Sequence, residues 1–231
     1  MIIVDVESTG LEPTQHGIAS IGAVAWPGEA TYYVEPQVDL LAVKVDDEAL
    51  RINGFTIEQL VDPKKPVMKD ALEEFLAWAR VSTDDLILAG WNGHFDVGFL
   101  KEEFKRSGLD WPFSFRSVDL HSIAYFLMQT IDKFTPKHDG ISTVGLNYVL
   151  RWADLPPEPD PHNALTGAQC NLTFWKHAMG ILENGVDVPE IPKCPKCDAP
   201  MSLRKPRPDG KDFDPFYGCT RYPECKGTIS V

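Results

Sequence analysis

The sequence predicts an α/β fold with a small metal-binding module after it. Apolar runs near the start of the chain predict adjacent strands, and later apolar runs alternate with segments of helical periodicity. Four of the five cysteines lie after residue 193. Because 231 residues suffice for one large domain and a small appendage, we expect a body over residues 1–184, a linker over 185–192 and a tail over 193–231.

The opening of the chain predicts three strands in succession. An apolar run over residues 1–6 meets acidic residues and then a serine-threonine-glycine turn. Two further apolar runs, over 18–25 and 31–35, are separated by tryptophan, proline and glycine, which are typical of a turn. These runs predict a meander at the start of the body.

The rest of the body predicts helices that alternate with strands. Leu72, Phe75, Leu76 and Ala79 recur at helical spacing, and the proline-rich residues 155–161 predict an extended loop. Residues 135–141 are polar and also predict a loop. The remaining elements, in order, are short helices over 46–52 and 56–60, a helix over 67–80, a strand over 86–89, a helix over 95–107, a strand over 115–120, and helices over 125–129, 142–152 and 162–182.

Charge divides unevenly between the two parts. Residues 1–192, the body with its linker, have a net charge of −15, and the tail has a net charge of +3. An acidic body argues against unspecific binding along a polyanion, but it is compatible with an enzyme whose acids hold divalent metals. Apolar runs are far shorter than the ~18–20 residues of a membrane span, and the start lacks the basic region of a secretory signal. The sequence therefore predicts a cytoplasmic protein without a membrane partner.

Two cysteine pairs in the tail predict a metal site. Cys194 and Cys197 form one pair, and Cys219 and Cys225 form the other. Four thiolates can close a tetrahedral shell around one Zn²⁺ ion. The tail is too short to be stabilised by an apolar core of its own, so we expect the ion to be structural. Free thiols or two disulfides are the alternatives, and a reducing cytosol disfavours disulfides.

Three carboxylates in the body predict a second metal site. Asp5 and Glu7 lie two residues apart at the end of the first strand, so their side chains point to the same side. Like charges there are costly unless a cation lies between them, and divalent metals prefer such oxygen ligands. Asp96 begins a helix after a predicted buried strand. The alternatives are an exposed acidic strand end and a plain helix-stabilising aspartate.

In combination, these motifs resemble those of the DEDDh 3′–5′ exonuclease superfamily, of the RNase T and polymerase III proofreading-subunit type. Residues 4–10 (VDVESTG) are similar to its first motif, 92–96 (NGHFD) to its second, 117–120 (SVDL) to a following strand and 162–165 (HNAL) to the start of its third. The resemblance covers about residues 1–182. It implies a ribonuclease-H-like mixed sheet flanked by helices, with the acids gathered at one end.

The resemblance also implies roles for individual residues. Asp5 and Glu7 would bind two catalytic Mg²⁺ or Mn²⁺ ions, Asp96 would hold the second ion, and His162 would take the proton from the attacking water. Residues beside the first two motifs would contact the substrate, namely Thr9, Gly10, Leu11 and Asn92. Leu11 lies where the family often wedges the terminal base, and a core leucine is the alternative.

One position departs from the family pattern. Five residues after His162 the pattern has an aspartate, and this sequence has Gly167. Three explanations are open: a weakened enzyme in which water, Thr166 or Gln169 compensates, an engineered active-site variant, or a binding protein that has lost hydrolysis. The three other acids and the histidine favour an enzymatic lineage.

The tail resembles the four-cysteine zinc ribbon of bacterial type IA topoisomerases. Residues 216–225 (FYGCTRYPEC) match its pattern F-x-G-C-[ST]-x-Y-P-x-C. The resemblance implies a module that binds single-stranded DNA through cations and stacking aromatics. The candidates are Arg204, Lys205, Arg207, Lys211, Arg221, Phe216, Tyr217 and Tyr222. For Tyr222, a place in the ribbon's small core is the alternative.

Together the two parts predict a metal-dependent 3′–5′ exonuclease to which a zinc ribbon delivers single-stranded nucleic acid. DNA, single-stranded or with a 3′ overhang, is favoured over RNA because of the topoisomerase-type ribbon. A non-catalytic single-strand-binding protein and an exoribonuclease are the alternatives. The sequence leaves the oligomeric state open, a dimer included.

Overall fold

Strands and helices alternate along the chain in the computed structural model. The structure describes residues 1–139, 141–184, 192–204 and 214–230. The predicted linker at 185–192 lies outside these residues except for Pro192. The described residues fall into two units, one of Met1–Ser122 and Gly145–Met179, the other of Ile123–Val144 and Gly180–Val231.

A five-stranded mixed sheet lies at the centre of the first unit. Its strands are β1 (Ile2–Ser8), β2 (Ile18–Ala25), β3 (Thr31–Val34), β4 (Leu88–Gly90) and β5 (Val118–Asp119), in the spatial order β3-β2-β1-β4-β5. The first three strands are antiparallel, whereas β4 and β5 run parallel to β1. The predicted α/β class with a mixed sheet is therefore confirmed.

Seven helices occur among the described residues. They are α1 (Asp47–Asn53), α2 (Ile57–Leu60), α3 (Met68–Ser82), α4 (His94–Arg106), α5 (Leu120–Ile131), α6 (Leu146–Trp152) and α7 (Ala164–Asn184). Several predicted boundaries are wrong, among them the start of the helix expected over 142–152, which begins at Leu146 as α6. The strand expected over 115–120 is only Val118–Asp119, because the side chains before it are exposed, Phe115 to 91%, and have no strand partner. Helix α5 consequently begins earlier than expected.

Alternation along β1 separates two parts of the core. Ile2, Val4 and Val6 pack among residues of α3 and α4, whereas Ile3 packs with Ala168 and Leu172 of α7. Since successive strand residues point to opposite faces, the odd-numbered acids of β1 lie on the face that α7 covers. The sheet therefore directs both acids towards α7.

Helix α7 lies directly against β2. A Cβ on Gly22 would overlap the backbone of Ala164, so only glycine permits this approach. Asn163 Oδ1 accepts the backbone N–H groups of Leu165 and Thr166 at 3.0 and 3.3 Å, which caps the helix. Because of this cap, α7 begins at Ala164, and His162 lies in the preceding loop rather than in the predicted helix.

Two small sheets belong to the second unit. A hairpin pairs β6 (Lys137–His138) with β7 (Ile141–Ser142), where a loop was predicted. Its residues are polar or exposed, so they lack the alternation that would predict strands. The other sheet is antiparallel and contains β8 (Met201–Arg204), β9 (Phe216–Cys219) and β10 (Thr228–Ser230), in the order β10-β9-β8. Throughout the described residues, no helix is long and apolar enough to cross a membrane.

Candidate active site and zinc centre

A cleft of about 400 Å³ opens in the first unit where β1 and β4 end. Its walls include four acids, Asp5, Glu7, Asp96 and Glu158, together with His162. The carboxyl ends of parallel strands are a common place for ligand sites, because the connections there diverge and leave a crevice. The cleft thus gathers the three acids of the first two motifs, as the sequence led us to expect.

Asp96 is fixed between the two acids of β1 by a backbone hydrogen bond. The N–H of Val6 donates to Asp96 Oδ1 at 3.0 Å, and Asp96 is only 3% exposed. The turn before α4 brings it there, with Asn92 at a positive φ of 49°, a conformation that asparagine tolerates well. Asp96 therefore contacts β1 as well as beginning α4, which a helix-stabilising role alone does not require.

Burial and mutual repulsion favour protons on these acids. Burial raises the pKa of Glu7 to about 8, and the charges of Glu158 and Asp96 add to the effect. Burial raises the pKa of Asp96 to about 7. The pKa of Asp5 is also well above its usual range, chiefly because of burial and then because of Asp96, Glu7 and Glu158. With Glu7 only 8% exposed, the alternative of an exposed acidic strand end is wrong.

The donor set of the cleft fits oxygen-preferring divalent ions. Among the described residues, no lysine or arginine forms an ion pair with Asp5, Glu7 or Asp96. Buried acids without a cation are costly, and Mg²⁺ or Mn²⁺ removes that cost.

Glu158 is a member of this group that no motif predicted. It comes from the proline-rich loop before α7, where its neighbours Pro157 and Pro159 are exposed while its own side chain turns inwards. Its backbone N–H donates to Asn147 Oδ1 at 2.7 Å. Burial raises the pKa of Glu158, and the charge of His162 opposes that shift. In the sequence, an acid between prolines looks like any solvated loop residue, so only its distance from the third motif could have drawn attention to it.

The other predicted catalytic-site residues take different positions. His162 lies half-buried at the cleft, with its Nε2 3.8 Å from Asp160 Oδ1. Leu11 is 74% exposed and lines the same cleft, so the core alternative for Leu11 is wrong. Gly10 and Asn92 line the cleft as well.

Thr9 does not face the cleft. Its side chain is fully buried, and its hydroxyl donates to the carbonyl of Lys44 at 2.7 Å. The same hydroxyl accepts the N–H of Gly17 at 2.9 Å. Thr9 therefore ties the strand end to the following loops, and a direct contact with substrate would require these bonds to break.

The four cysteines of the tail converge on one point. Their sulfur atoms all lie within 4.8 Å of one another, with Cys194 Sγ 3.6 Å from Cys225 Sγ and Cys197 Sγ 3.5 Å from Cys219 Sγ. A disulfide would bring two sulfurs to about 2.05 Å, so the disulfide alternative is wrong. Thiolates placed tetrahedrally about 2.3 Å from an ion lie roughly 3.8 Å apart, so the cluster fits Zn²⁺.

Cationic and aromatic side chains surround a cavity of about 620 Å³ in the ribbon. Arg204, Phe216 and Tyr222 line it, and Tyr222 is 68% exposed, so the core alternative for Tyr222 is wrong. The Arg204 guanidinium also lies 5.6 Å over the ring of Phe134. Arg221 is exposed. Three other predicted cations lie outside the described residues: Lys205, Arg207 and Lys211.

Two family models match the chain. The model described as exonuclease matches residues 2–167, which is more than half of the sequence. The chain belongs to the exonuclease family. A second model, described as the topoisomerase DNA-binding C4 zinc finger, matches residues 191–231. Both resemblances predicted from the motifs, to DEDDh exonucleases and to the topoisomerase ribbon, are confirmed.

Individual relatives agree with the family. DNA polymerase III subunit epsilon of Rickettsia prowazekii is 36% identical over 109 residues, which span 44% of this chain and only 43% of that protein. The 3′–5′ DNA exonuclease Cap18 of Escherichia coli is 31% identical over 132 residues, spanning 54% and 67% of the two chains. The fold is similar to E. coli exonuclease I solved in complex with a 5cy-dT13 oligonucleotide, with a TM-score of 0.63 and 15% identity, covering 79% of this chain and 41% of that one.

Proposed function

We propose that this protein is a metal-dependent exonuclease that removes nucleotides from the 3′ end of single-stranded DNA or of a 3′ overhang. The observation that carries the proposal is the cleft, in which Asp5, Glu7 and Asp96 converge without a cationic partner among the described residues. A protein that only bound nucleic acid would not need buried acids that lack a cationic partner, because such acids repel the phosphates of the nucleic acid. Their cost in free energy is explained if they bind divalent ions.

Each residue of the cleft has a task in this proposal. Asp5, Glu7 and Asp96 would hold two divalent ions, which would supply Lewis-acid stabilisation of the charge on the attacking and leaving oxygens. His162 lies half-exposed at the cleft, where its imidazole accepts the proton of the attacking water near neutral pH. Leu11 projects from the rim and packs against the terminal base.

The two parts of the chain divide the work. The body over residues 1–184 performs hydrolysis, and the ribbon over 193–231 binds the single strand. The body and linker over residues 1–192 have a net charge of −15, so their own field repels the phosphates that the cleft must receive, whereas the tail has a net charge of +3. DNA is favoured because polymerase III subunit epsilon and Cap18 are both named for DNA and because the ribbon matches a DNA-binding finger.

The test compares DNA and RNA strands of one sequence with and without divalent ions. We expect Mg²⁺ or Mn²⁺ to support release of mononucleotides, faster from DNA than from RNA, and chelation to abolish it. Faster release from RNA would support the exoribonuclease alternative. Binding of both strands without any release, in either ion, would contradict the proposed activity and favour the binding protein.

The ribbon's role predicts a selective effect on KM. Replacing Tyr222 or Arg221 by Ala is expected to raise KM for a long single strand about tenfold and to leave kcat unchanged, because base stacking is worth about 1–3 kcal/mol. Steady-state rates on strands of increasing length measure this. Arg51→Ala is the matched control, since Arg51 is an exposed cation paired with Glu48 on α1. Equal KM values in all variants would show that the ribbon does not deliver substrate.

A further inference from the structure

The space beside Gly167 on α7 is occupied by two carboxylates from other elements. A Cβ placed on Gly167 would lie 2.6 Å from Asp5 Oδ2 and 3.0 Å from Glu158 Oε1. The first distance is too short for any real contact, and the second is tighter than most. Both oxygens therefore face the point from which a side chain at position 167 would start.

The loop holds Glu158 in this space with little freedom. Prolines on both sides of it fix their own φ angles and restrict the residue before each of them. The hydrogen bond from Glu158 N–H to Asn147 Oδ1 ties the loop to α6. At the other end, a Cβ on Gly54 would lie 3.2 Å from Pro161, so the loop also packs closely against the turn after α1.

This position is costly for Glu158 unless it binds a cation. Its charge acts on both Asp5 and Glu7, which are acids themselves. Among the described residues, no lysine or arginine forms an ion pair with it, and His162 is the one group that offsets its charge. A loop glutamate that binds nothing is expected to have a solvent-exposed side chain, as the exposed Asp160 two residues later has.

Given the proposed exonuclease function, we propose that Glu158 is the fourth metal-binding carboxylate of the cleft and replaces the aspartate that the family pattern places at position 167. It reaches the same space from the opposite wall. The compensating residues considered from the sequence do not fit as well. Thr166 Oγ1 donates to the carbonyl of Asn163 at 2.8 Å, and Gln169 is exposed.

The arrangement explains why position 167 is glycine. A side chain there and the present positions of Asp5 and Glu158 exclude one another, so the acid has moved rather than disappeared. Gly167→Asp alone is therefore expected to bind Mn²⁺ no more tightly than the natural chain. In the double variant Glu158→Ala with Gly167→Asp, the space that the Glu158 carboxylate occupies is free for the added carboxylate, which is expected to restore binding.

The test measures Mn²⁺ binding directly, by calorimetry on the full chain, and the melting temperature without metal. Glu158→Gln is expected to weaken Mn²⁺ binding in the cleft at least tenfold and to leave the metal-free melting temperature equal or higher, because like-charge repulsion is relieved. A structural role for Glu158 predicts a lower metal-free melting temperature instead. Asp154 is an exposed acid four residues earlier, and Asp154→Asn is the matched control. Its Mn²⁺ affinity and its metal-free melting temperature are both expected to equal those of the natural chain.

The outcomes separate this inference from the proposed function. Unchanged Mn²⁺ affinity in Glu158→Gln, with exonuclease activity retained, would overturn the role of Glu158 and leave the function standing. A different outcome is also possible: the natural chain binds Mn²⁺ but never hydrolyses DNA, and Glu158→Gln loses Mn²⁺ binding. That result would support the role of Glu158 and overturn the proposed exonuclease function. Recovery of binding in the double variant would support the relocated acid.

Discussion

Asp96→Asn is expected to lower exonuclease activity about 10³-fold or more while the fold stays intact. Asparagine keeps the oxygen that accepts the Val6 N–H, so the hydrogen bond that fixes the start of α4 is preserved. The variant loses the charge and replaces the second oxygen by an NH2 group, and with them it loses several kcal/mol of metal-dependent stabilisation of the transition state. Initial rates on labelled single-stranded DNA, with circular dichroism to verify folding, measure the effect.

Asp110→Asn provides the control for charge alone. Asp110 is an exposed aspartate in the segment between α4 and β5, outside the cleft. Its replacement is expected to leave the exonuclease rate within about twofold of the rate of the natural chain, since surface substitutions of this kind have little effect on stability. Equal rates for Asp96→Asn and the natural chain would show that the cleft acids do not take part in hydrolysis.

Raising the pH from about 6 to about 9 without divalent ions is expected to lower the melting temperature markedly. The pKa of Glu7 is about 8 in the folded chain, against an ordinary value of 4.5. Between these values the folded state binds more protons than the unfolded state, so stability falls as the pH rises. Each pKa unit is worth about 1.4 kcal/mol, which predicts a decrease on the order of 10 °C for a chain of this size.

Divalent ions should reverse this decrease, because they replace the protons between the acids. Melting curves at several pH values, with Mg²⁺ or with a chelator, measure both effects. Glu7→Gln is expected to flatten the pH dependence without metal, since the amide does not titrate. A natural chain whose melting temperature is insensitive to pH, or to Mg²⁺ at alkaline pH, would contradict the placement of unpaired acids in the cleft.

Local motifs were sufficient to predict most of the cleft. Asp5 and Glu7 follow an apolar strand, and Asp96 begins a helix after another, but it was the resemblance to the exonuclease motifs that predicted that the three acids come together. The sequence also predicted that position 167 lacks an acid. The sequence did not predict the path of the loop before α7, because prolines restrict the backbone angles but do not determine the direction that the chain takes.

Two other residues show the same limit. Glu158 lies nine residues before Gly167 in the chain, and only the packing of α7 against β1 and of the loop against α6 brings the two together. Thr9 was predicted to contact substrate because it belongs to the first motif. Its hydroxyl instead joins Gly17 and Lys44, contacts that depend on tertiary structure.

The most direct test of the exonuclease follows a single-stranded DNA labelled at its 5′ end, with the 3′ end either free or blocked by an inverted nucleotide. With Mg²⁺ or Mn²⁺, we expect the free strand to shorten one nucleotide at a time from its 3′ end and the blocked strand to stay intact. Asp96→Asn should shorten neither strand. Internal cuts in both strands, or a free strand that is bound but never shortened, would contradict the account.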